Sequence, residues 1–279
     1  MKTRILTALI ALPIIIASII LPLWFPAAVW LFVAIAAFAL AAGLFEFYSL
    51  TKKLELKADA GIAYLGAAAL FTGFVFDAPA KAPDLMMATI ALFLIGVLIS
   101  QAFRFRKDLS RMLTGVSVTV LGVLYVVFLG GFLVAMRVGF ENRPNLSSHL
   151  LAYFFLVIFA SDIGAYFAGR ALGKHKLAPT ISPGKTVEGL IGGILAAAGG
   201  AALATFWFFP DLPYEFSIPL AIVLAIVGVL GDLCESAIKR GAGAKDAASI
   251  LPGHGGFLDR LDSLLFGAPI LYYFARFYF

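Results

Sequence analysis

Runs of apolar residues close to 20 long recur from one end of this chain to the other, and nothing constrains its fold more. About 20 residues of α-helix match the roughly 30 Å of bilayer hydrocarbon. Inside lipid every backbone N–H and C=O must be paired within the protein, which leaves helices or closed barrels. Charged residues are 13% of the chain, against about a quarter in soluble domains. Mean hydropathy is +1.00. A soluble protein with a large core could not wet its surface with so few charges. The fold class is an all-α polytopic integral membrane protein.

Apolar periodicity and turn residues place about nine spans, at about 5–24, 27–50, 60–76, 86–103, 112–136, 149–169, 189–209, 217–237 and 261–279. Pro22 and Pro26 mark the first turn, DAPAKAPD the break after the third span, and PDLPYE the break after the seventh. The basic start MKTR and the apolar run behind it resemble a signal peptide. That run is long for a signal core and shows no small-x-small cleavage site, so it is expected to stay as the first span. The single Cys234 excludes an internal disulfide. Residues 1–110 are expected to form a region of N-terminal helices. Residues 111–279 should form a C-terminal transmembrane region, with loops at 170–188 and 238–260 on one side.

Alternate loops divide the 21 Lys and Arg residues into 17 and 4. The minor side holds Lys81, Arg137, Arg143 and Arg276. Cytoplasmic loops carry the excess of basic residues. The split therefore predicts a cytoplasmic N-terminus and a C-terminus on the opposite side. Lys52, Lys53, Lys57 and the RFRK cluster need no role beyond topology, with some attraction to anionic lipid for that cluster.

Two loops on the basic side do more than connect. The first reads SDIGAYFAGRALGKHKLAPTISPGKTVEG, residues 161–189. Asp162 lies in an otherwise apolar helix, where an acid is functional by default unless a helix–helix hydrogen bond explains it. Gly169 and Gly173 continue its face at helical spacing and would let a neighbour approach closely. SPGKT is not a Walker loop, because Pro179 stands where that loop needs glycine and no strand is predicted before it. It reads as an exposed turn with Ser182, Lys185 and Thr186 as anion donors, beside Arg170 and Lys174. Glu188 is expected to cap the following helix.

The second loop is KRGAGAKDAASILPGHGGFLDRLDS, residues 239–263, with five glycines. In the helix before it, Asp232, Ser236 and Lys239 share a face. At the start of the helix after it, Asp259 and Asp262 share another, and Arg260 points elsewhere. Asp232, Asp259 and Asp262 could hold a hard cation, and Mg²⁺ takes one or two carboxylates with water and substrate phosphate. Lys239, Arg240, Lys245, Arg260 and Lys185 could clamp phosphate oxygens. Gly255 and Gly256 would let backbone N–H groups approach an anion. His254 reads as a substrate contact at most, and no Cys/His cluster supports zinc. These residues by themselves leave two readings open. One is phosphoryl or nucleotidyl transfer to a lipid. The other is an ion-coupled transporter, although transporters keep their key charges near the bilayer midplane.

The stretch from Ser236 to Asp262 resembles the phosphatidate cytidylyltransferase (CDP-diacylglycerol synthase) family. The matching residues are Ser236, Lys239-Arg240, Lys245-Asp246, His254-Gly255-Gly256, Asp259-Arg260 and Asp262, eleven positions in 27. SDIGAYFAGRALGK and SPGKTVEG also look like family motifs, so the likeness covers roughly residues 155–279. It implies transfer of the cytidylyl group of CTP to phosphatidate with Mg²⁺, and leaves open a second, monovalent cation. Asp232 and Asp259 become the leading metal ligands, then Asp262, with Asp246 behind. Lys239 and Arg240 join them as catalytic residues. Ser182, Lys185, Thr186, Ser236, Lys245, His254, Gly255, Gly256, Arg260 and Arg170 become substrate contacts. The expected partners are CTP, phosphatidate and membrane lipid, with no nucleic acid, in a homodimer. The expected location is the bacterial inner (cell) membrane, with the active site facing the cytoplasm. The nearest enzymatic rival is a CTP-dependent lipid kinase of the dolichol kinase type, which would transfer the γ-phosphoryl group.

Overall fold

The structure is a computed structural model that describes residues 2–106, 108–140, 143, 145–244 and 255–279. Lys245, Asp246 and His254 lie outside the described residues. The helices are α1 (Lys2–Ile20), α2 (Val29–Lys53), α3 (Ala60–Ala80), α4 (Asp84–Arg104), α5 (Met112–Gly122), α6 (Leu129–Val138), α7 (Leu146–Leu172), α8 (Val187–Trp207), α9 (Tyr214–Gly241) and α10 (Leu258–Tyr278). A wide π turn, Val123–Phe128, joins α5 to α6 in one rod from Leu109 to Val138. The described residues therefore form nine helical rods, as the apolar runs predict.

Seven of these rods are long and apolar enough to cross a membrane by length and composition. Helix α10 is less apolar, because its first turns carry Asp259, Arg260 and Asp262 and its last turns Tyr272, Tyr273 and Arg276. It packs against α9, α6, α2 and α7, so its surroundings are largely protein. The faces turned outward carry Phe206, Trp207 and Phe277, the last 85% exposed. Apolar exposure of that size on many helices fits a lipid-facing surface.

Helix association inside lipid depends on close packing rather than on exclusion of water. Small residues supply it here. Gly164 lies against Ala196 and Gly192, and Gly169 against Gly189, so the neighbour admitted by the α7 glycines is α8. A Cβ on Gly231 would come to 2.5 Å from the Asp262 carbonyl oxygen. That glycine is what lets α9 and α10 cross next to their acidic residues.

Between α7 and α8 stands a small antiparallel hairpin, β1 (Lys176–Ala178) and β2 (Ser182–Thr186). The exposed turn expected for SPGKT is thus a strand, with another strand before it. Ser182 pairs with Ala178 and Thr186 with Lys176 across the hairpin, and Thr186 is buried. Helix capping is corrected as well. Thr186, not Glu188, caps α8, its hydroxyl accepting from the Gly189 N–H at 3.1 Å. Glu188 turns back and accepts from the Lys174 and His175 N–H groups and from His175 Nδ1, the last at 2.6 Å. It staples the end of α7 to the start of α8.

Candidate active site

At 27 and 28 residues, α7 and α9 are each about 40 Å long, more than the hydrocarbon thickness. Their last turns stand beside the hairpin and the first turn of α10. Together these elements enclose a cavity of about 600 Å³. Its described walls bring Asp162, Tyr166 and Arg170 from α7 together with Lys185 from β2. Asp232 from α9 and Asp259, Arg260 and Asp262 from α10 add to the polar lining. Residues 70 positions apart in the sequence, Asp162 and Asp232, thus share one concave surface.

Lys185 reaches from the hairpin to α9. Its Nζ lies 2.7 Å from Asp232 Oδ2 and donates to the Val229 carbonyl at 3.4 Å. The Ser236 hydroxyl, one turn on, donates to Asp232 Oδ1 at 3.2 Å. Asp162 opens onto the cavity. Arg170 donates to the Tyr166 hydroxyl at 3.1 Å on the rim.

Asp232, Glu235 and Asp262 each offer a carboxylate oxygen within 4.8 Å of the others. Asp259, expected as a leading metal ligand, is engaged elsewhere. Its Oδ1 accepts from Lys239 Nζ at 2.5 Å and its Oδ2 from the Gly256 N–H at 2.7 Å. Glu235 takes its place in the acidic trio. Sequence reasoning left it out by favouring the face of Asp232, Ser236 and Lys239. Yet a spacing of three also puts Glu235 beside Asp232, which is the signal that could have found it.

The trio suits a hard divalent cation. Glu235 is fully buried. Lys239 Nζ pairs with its Oε2 at 2.7 Å, and Oε1 has no hydrogen-bond partner among the described residues. A buried oxygen left without a partner is costly, and carboxylate oxygens of this kind are what Mg²⁺ takes.

Lys239 and Arg240, expected at phosphates, are committed to the protein. Lys239 bridges Glu235 and Asp259. Arg240 donates to the Ile181 carbonyl of the hairpin at 3.3 Å and is not on the cavity's described walls. Ser182 lies in β2 next to that contact, with Thr186 at the strand's other end as the α8 cap. Gly255 has a φ of 79°, a left-handed conformation open to glycine at little cost. Gly256 is buried, and a Cβ there would fall on the carboxylate of Glu46 in α2.

Residues 2–278 match the model of the cytidylyltransferase family. The chain belongs to the cytidylyltransferase family. It is similar to curated phosphatidate cytidylyltransferases. That of Bacillus subtilis is 37% identical over 206 residues, covering 73% of this chain and 71% of the relative. That of Haemophilus influenzae is 42% identical over 153 residues, covering 53% of each. That of Staphylococcus haemolyticus is 48% identical over 123 residues, covering 44% and 47%. The latter two matches span about half the length of those relatives. A cytidylyltransferase must bring a nucleotide triphosphate and an acceptor together, and the cavity joins anionic and cationic groups on one surface.

Proposed function

We propose that this chain transfers the cytidylyl group of CTP to phosphatidate, giving CDP-diacylglycerol and pyrophosphate for phospholipid synthesis. The observation that carries the reading is the acidic trio of Asp232, Glu235 and Asp262 beside Lys185 in a cavity at the ends of membrane helices. A water-soluble nucleotide and a lipid headgroup can meet there.

The phosphatidate phosphate is already anionic near neutral pH, so the acceptor needs no strong general base. Its oxygen attacks the α-phosphorus of CTP. The new P–O bond forms as the bond to the β-phosphate oxygen breaks, and the electron pair leaves on pyrophosphate. What the protein must supply is in-line positioning and charge neutralisation. Lys185 and Arg260 on the cavity wall are the cations for the phosphates, with Arg170 at the rim. Asp232, Glu235 and Asp262 would hold Mg²⁺, which when bound offsets the charge of the nucleotide phosphates and the leaving group. Lys239 and Asp259 keep Glu235 in place.

The excess of Lys and Arg in alternate loops supports a cytoplasmic active site and a place in the bacterial inner membrane. Family resemblance supports a homodimer. The deciding experiment uses purified protein in detergent with phosphatidate, Mg²⁺ and CTP labelled in turn at the α- and γ-phosphates. Label from α in the lipid, with pyrophosphate released, is the expected result. Label from γ in the lipid would make the protein a lipid kinase. A blank result from well-folded protein would return the transporter reading.

A further inference from the structure

Glu46 is a lone acid on α2, fully buried, and stands 211 positions before the backbone it serves. A charge buried in a membrane helix needs strong partners. Glu46 finds them at the start of α10, where Oε1 accepts from the Phe257 N–H at 2.9 Å and Oε2 from the Leu258 N–H at 2.7 Å. The first N–H groups of a helix have no partner inside it, and Phe257, at the N-cap, has no side-chain acceptor of its own. Glu46 thus caps α10 from another helix, with the helix dipole adding to the attraction.

The contact leads into the acidic site step by step. Phe257 and Leu258 follow Gly256, whose N–H donates to Asp259 Oδ2. Asp259 Oδ1 holds Lys239. Lys239 meets Glu235, one of the three carboxylates that lie together. Two further contacts fix α2 on the same face of α10. The Phe38 and Phe257 rings meet edge to face at 5.3 Å, and Gly43 leaves room for Leu261. Gly256 is itself shaped by Glu46, since any Cβ there would collide with the carboxylate.

We propose that Glu46 is a positioning residue for the divalent-cation site, acting through the Gly256–Asp259–Lys239–Glu235 chain. Gly256 is then glycine to admit Glu46 rather than to approach a phosphate. Glu46 would set cation affinity without touching cation or substrate. The inference rests on the cytidylyltransferase reading only where activity is measured.

The test uses the full chain in detergent, with Mn²⁺ as probe by electron paramagnetic resonance and Asp232→Asn as the site-loss control. An amide in Glu46→Gln can accept through one oxygen only, so one α10 N–H loses its partner. The expected result is Mn²⁺ affinity weaker by about 10-fold or more, the scale of supporting contacts at metal sites. The half-activating Mg²⁺ concentration should rise with it, KM for phosphatidate should stay within about 2-fold, and melting should fall modestly, as loss of one buried N–H partner requires. Gly256→Ala should copy that phenotype in the native chain. On top of Glu46→Ala it should cost little, because the carboxylate it strikes is gone. Unchanged Mn²⁺ affinity in both Glu46 variants would overturn the proposal. So would additive effects of the two substitutions. Failure of both Glu46→Gln and Glu46→Ala to fold would also overturn it, making Glu46 a scaffold residue. A native chain that binds Mn²⁺ but labels no lipid would sink the cytidylyl reading and leave the Mn²⁺ arm to decide Glu46.

Discussion

Lys185 Nζ lies 2.7 Å from Asp232 Oδ2, tying the β-hairpin to the end of α9. One residue offers positive charge to phosphate and the other is a cation ligand in the proposed reaction, and each holds the other ready. Asp232→Asn should lower turnover by about 10²–10³-fold or more while the protein still inserts and purifies, as removal of one focused electrostatic group does. Lys185→Met should cost about as much. Rates of lipid labelling check both, and near-native activity in either variant would contradict the assignment.

Glu235 belongs to the acidic trio, and the sequence reading left it out. Glu235→Gln keeps size and hydrogen-bonding capacity but removes the charge. Its Mn²⁺ affinity should fall at least about 10-fold, with turnover falling in parallel. Spin-probe titration and lipid labelling on one preparation would show whether the two move together.

Lys239 neutralises two nearly buried carboxylates at once, with side-chain exposures of 13% for Lys239, 0% for Glu235 and 12% for Asp259. Breaking such a pair strands the remaining charge and costs about 3–5 kcal/mol. Lys239→Met should therefore melt well below the native protein. Lys239→Met with Asp259→Asn should recover part of the loss. Thermal melts of the two variants in the same detergent test this. A phosphate-binding lysine with no structural part would leave melting unchanged.

Gly231 stands where α9 and α10 cross, its missing Cβ replaced by the Asp262 carbonyl. Gly231→Ala should push the helices apart and cost about 1–3 kcal/mol from overpacking. Because Asp232 and Asp262 sit on either side of that crossing, turnover should fall by up to about 10²-fold. Lipid labelling and melting on one sample would separate the two effects.

Lys52 is exposed at the end of α2, and its charge is read as topological. Lys52→Ala should leave lipid labelling within about 2-fold, since one basic residue among many alters orientation little. A large loss with correct insertion would show a substrate contact there.

Much of the site could be read from the chain because the chemistry needs particular residue types at fixed spacings. Asp232, Asp262 and Lys185 emerged from such spacings, and all three line the cavity. Glu46 stands alone on α2, far in sequence from the charged C-terminal motifs. The rule that singled out Asp162, an acid inside an apolar helix, applies to Glu46 equally well. The hairpin escaped because SPGKT has no alternation of apolar and polar residues. Its strand form depends on the partner strand and on Glu188 holding the ends together.

Sequence alone determined the helical membrane class and the number of rods, because lipid tolerates only internally paired backbone and its thickness sets helix length. It also marked which charged residues had no place in a purely lipid-facing helix. Tertiary structure alone decided how those charges divide. Glu235 joins Asp232 and Asp262, Asp259 turns to Lys239, and Glu46 caps a helix 211 residues away. A carboxylate's partner is set by distances of a few ångströms between helices, and those follow from side-chain packing rather than from spacing along one helix.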